Sequence, residues 1–339
     1  MEPITNTTPD RIFILTDENT CELCLPLLKT WYAHELDDAP VITIPAGDNN
    51  KTLESVTYVW SELQRLGATR HSLLVNLGGG MVTDLGGFAA ATFKRGMKFT
   101  NYPTTLLAMV DASTGGKTGI NFGGLKNEVG VFREADKVIV DTRFLLSLDR
   151  TNVLSGYAEM LKHGLLSNDN LLAELLTFDI EAPDFNFMQH MVTDSLMVKQ
   201  RIVSEDPTEQ GIRKALNLGH TVGHAFEAFS LAHPSSSPLP HGYAVAYGLV
   251  CALYLSVVKC GFPTERMRQV VNFIVEHYGR LNITCDNYPT FLEFMRHDKK
   301  NIADRINFTL LGAVGDIRIN QHCTQQEIEE ALDFYREGC

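Results

Sequence analysis

The sequence predicts an α/β domain built on a parallel sheet, followed by a mainly α-helical domain. Two patterns predict it. Through residue 141, short apolar runs alternate with longer amphipathic stretches; from residue 142 onward the chain reads as successive long helices. Length agrees, because 339 residues, 44% hydrophobic and 21% charged, supply core for two domains more readily than for one. The expected division is 1–141 and 142–339.

In the first domain, strands are expected at 11–16, 41–45, 72–77, 98–102 and 137–141, where apolar and β-branched residues cluster in short runs. Apolar residues at helical spacing predict helices over 21–36, 53–66 and 85–93. In the second domain the same spacing predicts helices near 143–148, 150–166, 170–177, 186–204, 212–230, 242–260, 264–278, 288–297 and 325–336. One extended piece, 305–311, interrupts them. The stretch 233–240 is polar and proline-rich, reads as a loop, and ends at His241.

Charge and composition exclude several function classes. A net charge of −12 argues against nucleic-acid or anionic-membrane partners, which select for Lys and Arg. No basic start leads into an apolar run and no stretch of about 18 apolar residues occurs, so neither a secretory signal nor a transmembrane helix is expected. Seven scattered cysteines read as reduced thiols in a cytoplasmic protein. Cys21 and Cys24 form a C-x-x-C, but their apolar neighbours and the lack of a second pair make it a buried helix face.

Three clusters carry chemistry. The first, Asn76-Leu77-Gly78-Gly79-Gly80-Met81-Val82-Thr83-Asp84, follows a strand and enters a helix, where glycines and free N–H groups let a phosphate approach. It departs from the usual dinucleotide fingerprint, and a tight structural turn would explain it too. Upstream, Asp48 in another strand-to-helix turn could accept from a ribose or cap a helix. The second cluster runs from Asp111 to Asn121, with Gly115-Gly116-Lys117-Thr118 at its centre, and is followed by Gly124-Leu125-Lys126-Asn127. It resembles the end of a P-loop but lacks the first glycine, which disfavours a nucleoside triphosphatase; its two lysines suit a polyanionic substrate.

The third cluster is a metal candidate. His220 and His224 lie four residues apart on one helical face, and His241 follows a proline and opens the next helix. Glu159 sits three residues before Lys162. Two imidazoles and a carboxylate make a catalytic metal site with positions left open, although each residue alone also fits an ordinary helix surface or ion pair.

In sequence order, Gly-Gly-Gly-x-x-x-Asp-Leu-Gly-Gly-Phe, Arg95-Gly96, Pro103-Thr104-Thr105-Leu106-Leu107-Ala108, Gly-Gly-Lys-Thr, Gly-Leu-Lys-Asn, Asn-Leu-Gly-His-Thr-x-Gly-His-Ala-x-Glu and Pro240-His241-Gly242-x-Ala244-Val245 closely resemble the 3-dehydroquinate synthase family over about residues 11–315. The resemblance implies an N-terminal NAD-binding domain, a C-terminal metal-binding domain and an active site in the cleft between them. It implies Glu159, His220 and His241 as ligands of one divalent metal, zinc or cobalt. It assigns Asp17, Asn19, Asp48, Lys51, Gly79, Gly80, Asp84, Thr104, Thr105, Lys126, Phe144 and Ser147 to NAD. It assigns Asp111, Lys117, Asn127, Lys162, Lys199, Arg213, Asn217 and either Lys299 or Lys300 to the substrate, with His224 on its phosphate side. Arg95 resembles an arginine that reaches into the neighbouring subunit's site, which implies a homodimer.

The implied reaction turns 3-deoxy-D-arabino-heptulosonate 7-phosphate into 3-dehydroquinate and phosphate, the second step of the shikimate pathway. Transient oxidation by NAD, β-elimination of phosphate, re-reduction and intramolecular aldol closure follow one another, with the substrate's own phosphate as base. The gathering of Lys117, Lys162, Lys199, Arg213 and Arg95 in an acidic protein fits a substrate bearing both carboxylate and phosphate. Ala112, Thr114 and Asp48 depart from the family's usual Ser, Val and Glu. The His220–His241 separation is also longer than usual, with the extra length in the Ser/Pro loop. Alternative readings are a sister cyclase making an inosose or valiolone, a metal-dependent polyol dehydrogenase, and a non-catalytic NAD-binding protein. Lys117, Arg213 and Asn217, the carboxylate-binding set, discriminate against the first.

Overall fold

A computed structural model of the chain describes residues 3–232, 238–296 and 306–338. It forms two compact units, 1–149 and 150–339.

The first unit opens with β1 (Ile12–Asp17), then α1 (Glu18–Leu23), α2 (Leu25–Trp31), α3 (Ala33–Leu36) and β2 (Val41–Ile44). It continues with α4 (Leu53–Arg65), β3 (Leu73–Gly78), α5 (Gly80–Thr92), β4 (Lys98–Pro103), β5 (Lys117–Phe122), β6 (Leu125–Phe132) and β7 (Lys137–Val138). Five strands form one parallel sheet in the order β2-β1-β3-β4-β7. The run read as one helix over 21–36 breaks into α1, α2 and α3: Pro26 opens α2 and Tyr32 leaves helical geometry. Cys21 and Cys24 are free, and burial raises the Cys24 thiol to about 11, as befits a packing residue.

Helix α5 begins at Gly80, five residues earlier than its apolar pattern suggests, and packs close to the sheet. A methyl on Gly86 would lie 2.1 Å from Asn76 Oδ1, and one on Gly87 would lie 2.5 Å from Thr118 Cγ2. The Gly-Gly pair of the motif thus permits the approach that seats the helix N-terminus. The second glycine cluster differs from expectation. Instead of an open glycine-rich loop it starts an antiparallel hairpin, β5–β6, turned at Gly123 and Gly124 with φ of 59° and 81°. Two consecutive positive φ values are what a two-residue hairpin turn requires, and Gly-Gly supplies them.

The second unit comprises α6 (Arg150–Ser167), α7 (Asp169–Thr177), α8 (Phe185–Glu205), α9 (His220–Ala232), α10 (His241–Cys260), α11 (Thr264–Tyr278) and α12 (Tyr288–Arg296). The hairpin β8 (Asn307–Ala313) and β9 (Asp316–His322) and then α13 (Gln325–Asp333) complete it. The helix expected over 212–230 is broken: Ile212–Asn217 is a 3₁₀ turn, and Gly219 at φ 79° redirects the chain so that His220 opens α9. The second strand of the β8–β9 hairpin escaped the sequence reading.

Helix α10 is long and apolar enough to cross a membrane by length and composition, but 67% of its most apolar 18-residue window is buried inside the protein, so it gives no clear membrane span. It is the core helix of the unit. A methyl on Gly248 would lie 1.9 Å from the Gly219 carbonyl oxygen, and one on Gly242 would lie 1.9 Å from the Ser155 carbonyl oxygen. These glycines bring α10 backbone-to-backbone against α9 and α6, and so set His241 beside Glu159. Gly242→Ala is therefore expected to push α10 off α6, costing about 1–3 kcal/mol or more. It should also release the metal, checked by thermal melting with metal analysis; a variant with unchanged metal content would show that this contact does not position His241.

Candidate active site

In the second unit, ionisable groups gather inside apolar helices. Glu159 is 0% exposed and Lys162 1%, both on α6, with Lys199 on α8 and Arg213 also buried. Lys162 pairs with the Glu159 carboxylate one turn away. His220 Nε2 lies 3.4 Å and His241 Nε2 3.5 Å from Glu159 Oε1. Apart from the Lys162 ion pair, neither Glu159 oxygen has a well-formed hydrogen bond among the described residues.

The outer nitrogens fix both rings. His220 Nδ1 donates to the Leu218 carbonyl at 3.1 Å, and His241 Nδ1 donates to Glu227 Oε2 at 3.2 Å. That arrangement turns each Nε2 toward Glu159, the tautomer and orientation a metal ligand needs. Ligand atoms of Glu159, His220 and His241 lie within 4.8 Å of one another. Two imidazole nitrogens facing a buried carboxylate oxygen call for a cation among them. His220 and His241 also open helices, whose positive ends favour anions, so the carboxylates of Glu159 and Glu227 are needed to make the locus suit a cation. The donor set fits one divalent metal ion.

Burial opposes ionisation of Glu159, but Lys162 and His220 outweigh it and hold the carboxyl well below the usual range. Burial likewise works against charging His241, yet Glu159 and Glu227 raise its imidazole from 6.5 to about 10. In the metal-free protein this raised value adds stability that is fully present below 6.5 and is lost as pH rises through about 10. A metal ion must displace that proton. Apparent metal affinity is therefore expected to rise with pH, about tenfold between two titrations one unit apart in the neutral range. A pH-independent affinity would show that His241 is not a ligand.

His224 shares the face of α9 with His220, their ring centroids 5.3 Å apart, and its ring lies 5.9 Å from that of His241. Arg213 donates to the Pro207 carbonyl at 2.6 Å, and Asn217 Nδ2 donates to Glu209 at 3.1 Å. Lys299 and Lys300 lie outside the described residues.

In the first unit, the expected cofactor residues line the C-terminal edge of the parallel sheet, where open α/β sheets bind ligands. Asp17 ends β1, Gly79 and Gly80 follow β3, and Thr104 and Thr105 follow β4. The sheet order reverses between β1 and β3, the position that opens a crevice. Asp17 caps α1 by accepting from the Thr20 N–H at 2.8 Å, while Asn19 on the same helix is exposed. Asp48 caps nothing; its carboxylate lies 3.3 Å from Lys126 Nζ. Lys51, 3% exposed, donates to Asp84 at 2.5 Å and to Asn127 Oδ1 at 2.6 Å. Thr105 Oγ1 accepts from the Ala108 N–H at 3.2 Å. Phe144 is buried with its ring 5.0 Å from that of Trp31, and the neighbouring Ser147 hydroxyl donates back to the Phe144 carbonyl.

Lys117 begins β5 and, with Asp84, Asn101 and Arg133, lines a small recess of about 10 Å³; Asp111 lies in the π-helical turn Ala108–Ala112 beside it. Arg95 is exposed and, like Lys94 before it, takes a positive φ, 67° after 49°. Two successive left-handed non-glycine residues store strain that presents the guanidinium outward.

The sequence reading gave no role to Glu227, Glu209 or Arg133. Glu227 was visible in spacing, three residues after His224 and seven after His220 on the same helical face.

The fold of the chain, a parallel sheet followed by a helical unit, is shared by solved structures. A solved 2-deoxy-scyllo-inosose synthase, complexed with carbaglucose-6-phosphate, NAD+ and Co2+, superimposes with a TM-score of 0.82 over 97% of this chain and 91% of its own, at 24% identity. A 2-epi-5-epi-valiolone synthase from Streptomyces hygroscopicus with NAD+ and Zn2+ bound gives 0.80 over 97% and 91%, at 23% identity. The family is fixed by sequence. The 3-dehydroquinate synthase N-terminal model matches residues 41–155 and the C-terminal model residues 156–301. A 3-dehydroquinate synthase of Parabacteroides distasonis is 55% identical over 97% of this chain and 92% of its own length. The chain belongs to the 3-dehydroquinate synthase family.

Proposed function

We propose that this chain carries out the reaction for which its family is named, converting 3-deoxy-D-arabino-heptulosonate 7-phosphate to 3-dehydroquinate and phosphate. It does so with NAD and one divalent metal ion, zinc or cobalt, as a cytoplasmic homodimer. The observation that carries the reading is the fully buried Glu159 carboxylate, paired with Lys162 and facing two imidazoles already oriented by Leu218 and Glu227. The NAD+ and metal bound by the inosose and valiolone synthases support the cofactor pair.

Glu159, His220 and His241 hold the metal. When bound, the ion would polarise a substrate hydroxyl and lower its pKa, and NAD would accept a hydride and return it within the turnover. Lys162 places an ammonium at the same locus and donates to a substrate oxygen. Lys199 and Arg213 are buried cations that suit carboxylate and phosphate, with Asn217, His224 and one of Lys299 and Lys300 completing the set. Asp111, Lys117 and Asn127 add contacts from the first unit, and Arg95 serves the partner's site. NAD is held by Asp17, Asn19, Asp48, Lys51, Gly79, Gly80, Asp84, Thr104, Thr105, Lys126, Phe144 and Ser147. No side chain need take the proton in elimination, because the substrate phosphate does.

The test is substrate discrimination. Purified protein with NAD and zinc is given either the sugar acid phosphate or a hexose phosphate lacking the carboxylate. Cyclisation of the first alone supports the reading; cyclisation of the second alone would move the chain to a sister cyclase.

A further inference from the structure

We propose that Asn121 is a positioning residue that ties the turn carrying Asp48 and Lys51 to the bulge carrying Lys126 and Asn127. The proposal rests on the reading of that turn and bulge as part of the cofactor and substrate site.

The β5–β6 ladder pairs Ile120 with Val129 and then Phe122 with Leu125. Three residues, 126–128, thus face the single residue Asn121. The extra length arches out of β6 as a bulge, the device by which a strand re-aims side chains. Asn127, at its centre, takes a φ of 51°, a left-handed conformation that Asn tolerates better than most residues.

The side chain of Asn121 fills the break in the ladder. Its Oδ1 accepts the Asn127 N–H at 3.0 Å, where a strand carbonyl would otherwise serve. Its Nδ2 donates to the Asp48 carbonyl at 3.0 Å and lies 3.5 Å from Asp48 Oδ2. Its backbone N–H donates to the Lys51 carbonyl at 2.8 Å. One face of the amide must accept and the other must donate, and among side chains of this length only Asn does both.

What Asn121 joins is the polar cluster of the first unit. The Lys51 ammonium bridges Asp84 and Asn127 Oδ1, and Lys126 reaches Asp48. With Asn121 in place the left-handed Asn127 points its side-chain oxygen Oδ1 at Lys51, and the Asp48 turn stays against the hairpin. Asn121 acts through these residues.

Two substitutions separate its two bonds. Asn121→Asp is nearly isosteric: it keeps the acceptor for the Asn127 N–H, loses the donor to the Asp48 carbonyl, and sets a second carboxylate beside that of Asp48. Asn121→Ala loses both bonds. The experiment measures NAD dissociation constants, kcat and KM for the sugar acid phosphate at saturating NAD, metal content and thermal midpoint, with Lys51→Met as a control. Asn121→Asp is expected to weaken NAD binding about tenfold, with metal content unchanged and KM for the sugar acid phosphate within about twofold of wild type, since the Asn127 bond survives. Asn121→Ala should weaken NAD binding similarly and raise KM as well.

A merely structural role would move the midpoint and metal content and would not split NAD binding from KM. NAD binding that is unchanged in Asn121→Asp but lost in Lys51→Met would overturn the proposal and leave the cofactor site standing. NAD binding unchanged in all three variants would overturn the site reading, and the proposal with it.

Discussion

Replacing His241 with Ala is expected to remove the metal and turnover while leaving NAD binding intact. His241 is one of three residues whose ligand atoms lie within 4.8 Å of one another, and its outer nitrogen is already committed to Glu227. Loss of an outer hydrogen-bond partner alone typically costs 10–100-fold in metal affinity, so loss of the ligand itself should exceed about a hundredfold. Without the ion the substrate hydroxyl keeps its high pKa, and the forfeited stabilisation, about 4 kcal/mol or more, corresponds to about a thousandfold in rate. The metal-free protein should also lose some stability at neutral pH, because the protonated imidazole paired with Glu159 and Glu227 is gone. Elemental analysis, turnover and an NAD titration check all parts; full metal content would show that His241 is no ligand.

Glu159→Gln is expected to damage the fold as well. Glu159 is wholly buried and its charge balances Lys162, His220 and His241. Gln keeps the shape but removes the charge, leaving buried cations without compensation. Breaking one side of a buried pair costs about 3–5 kcal/mol, far more than the pair contributes when intact. The thermal midpoint of the metal-free protein should therefore fall, and further than that of His241→Ala. Lys162→Met added to Glu159→Gln should recover much of the stability and none of the turnover. If Glu159→Gln melts like wild type and holds metal normally, the carboxylate is not the centre of the site.

The sheet was legible because each parallel strand is an apolar run, and parallel strands buried on both faces read that way. His241 at a helix start was legible from Pro240 before it. The β5–β6 hairpin was not. Strand β6 is exposed along its whole length, so Lys126, Asn127, Glu128 and Gly130 interrupt the period-two pattern that would have betrayed it. Its turn signal, Gly123-Gly124, was passed over within a stretch read as one glycine-rich loop. The break at Gly219 was hidden because apolar spacing runs on either side of it, and only the positive φ reveals the turn. Spacing suggested a cluster containing His220 and His241. Glu159, some 60 residues upstream in sequence, was grouped with them as a candidate carboxylate, but the helix-to-helix contact at Gly242 that brings it there leaves no local pattern. Glu227 could have been found by helical spacing, but a carboxylate that orients an imidazole looks in sequence like any exposed helix residue.

The most direct test of the account follows released phosphate, carbocyclic product and absorbance of reduced cofactor in one reaction with 3-deoxy-D-arabino-heptulosonate 7-phosphate, zinc and a catalytic amount of NAD. The account predicts phosphate and 3-dehydroquinate in equal amounts, many turnovers per NAD, no net reduced cofactor, and abolition by a chelator. Accumulation of reduced cofactor in step with substrate consumed, without phosphate release, would contradict it and make the chain a dehydrogenase.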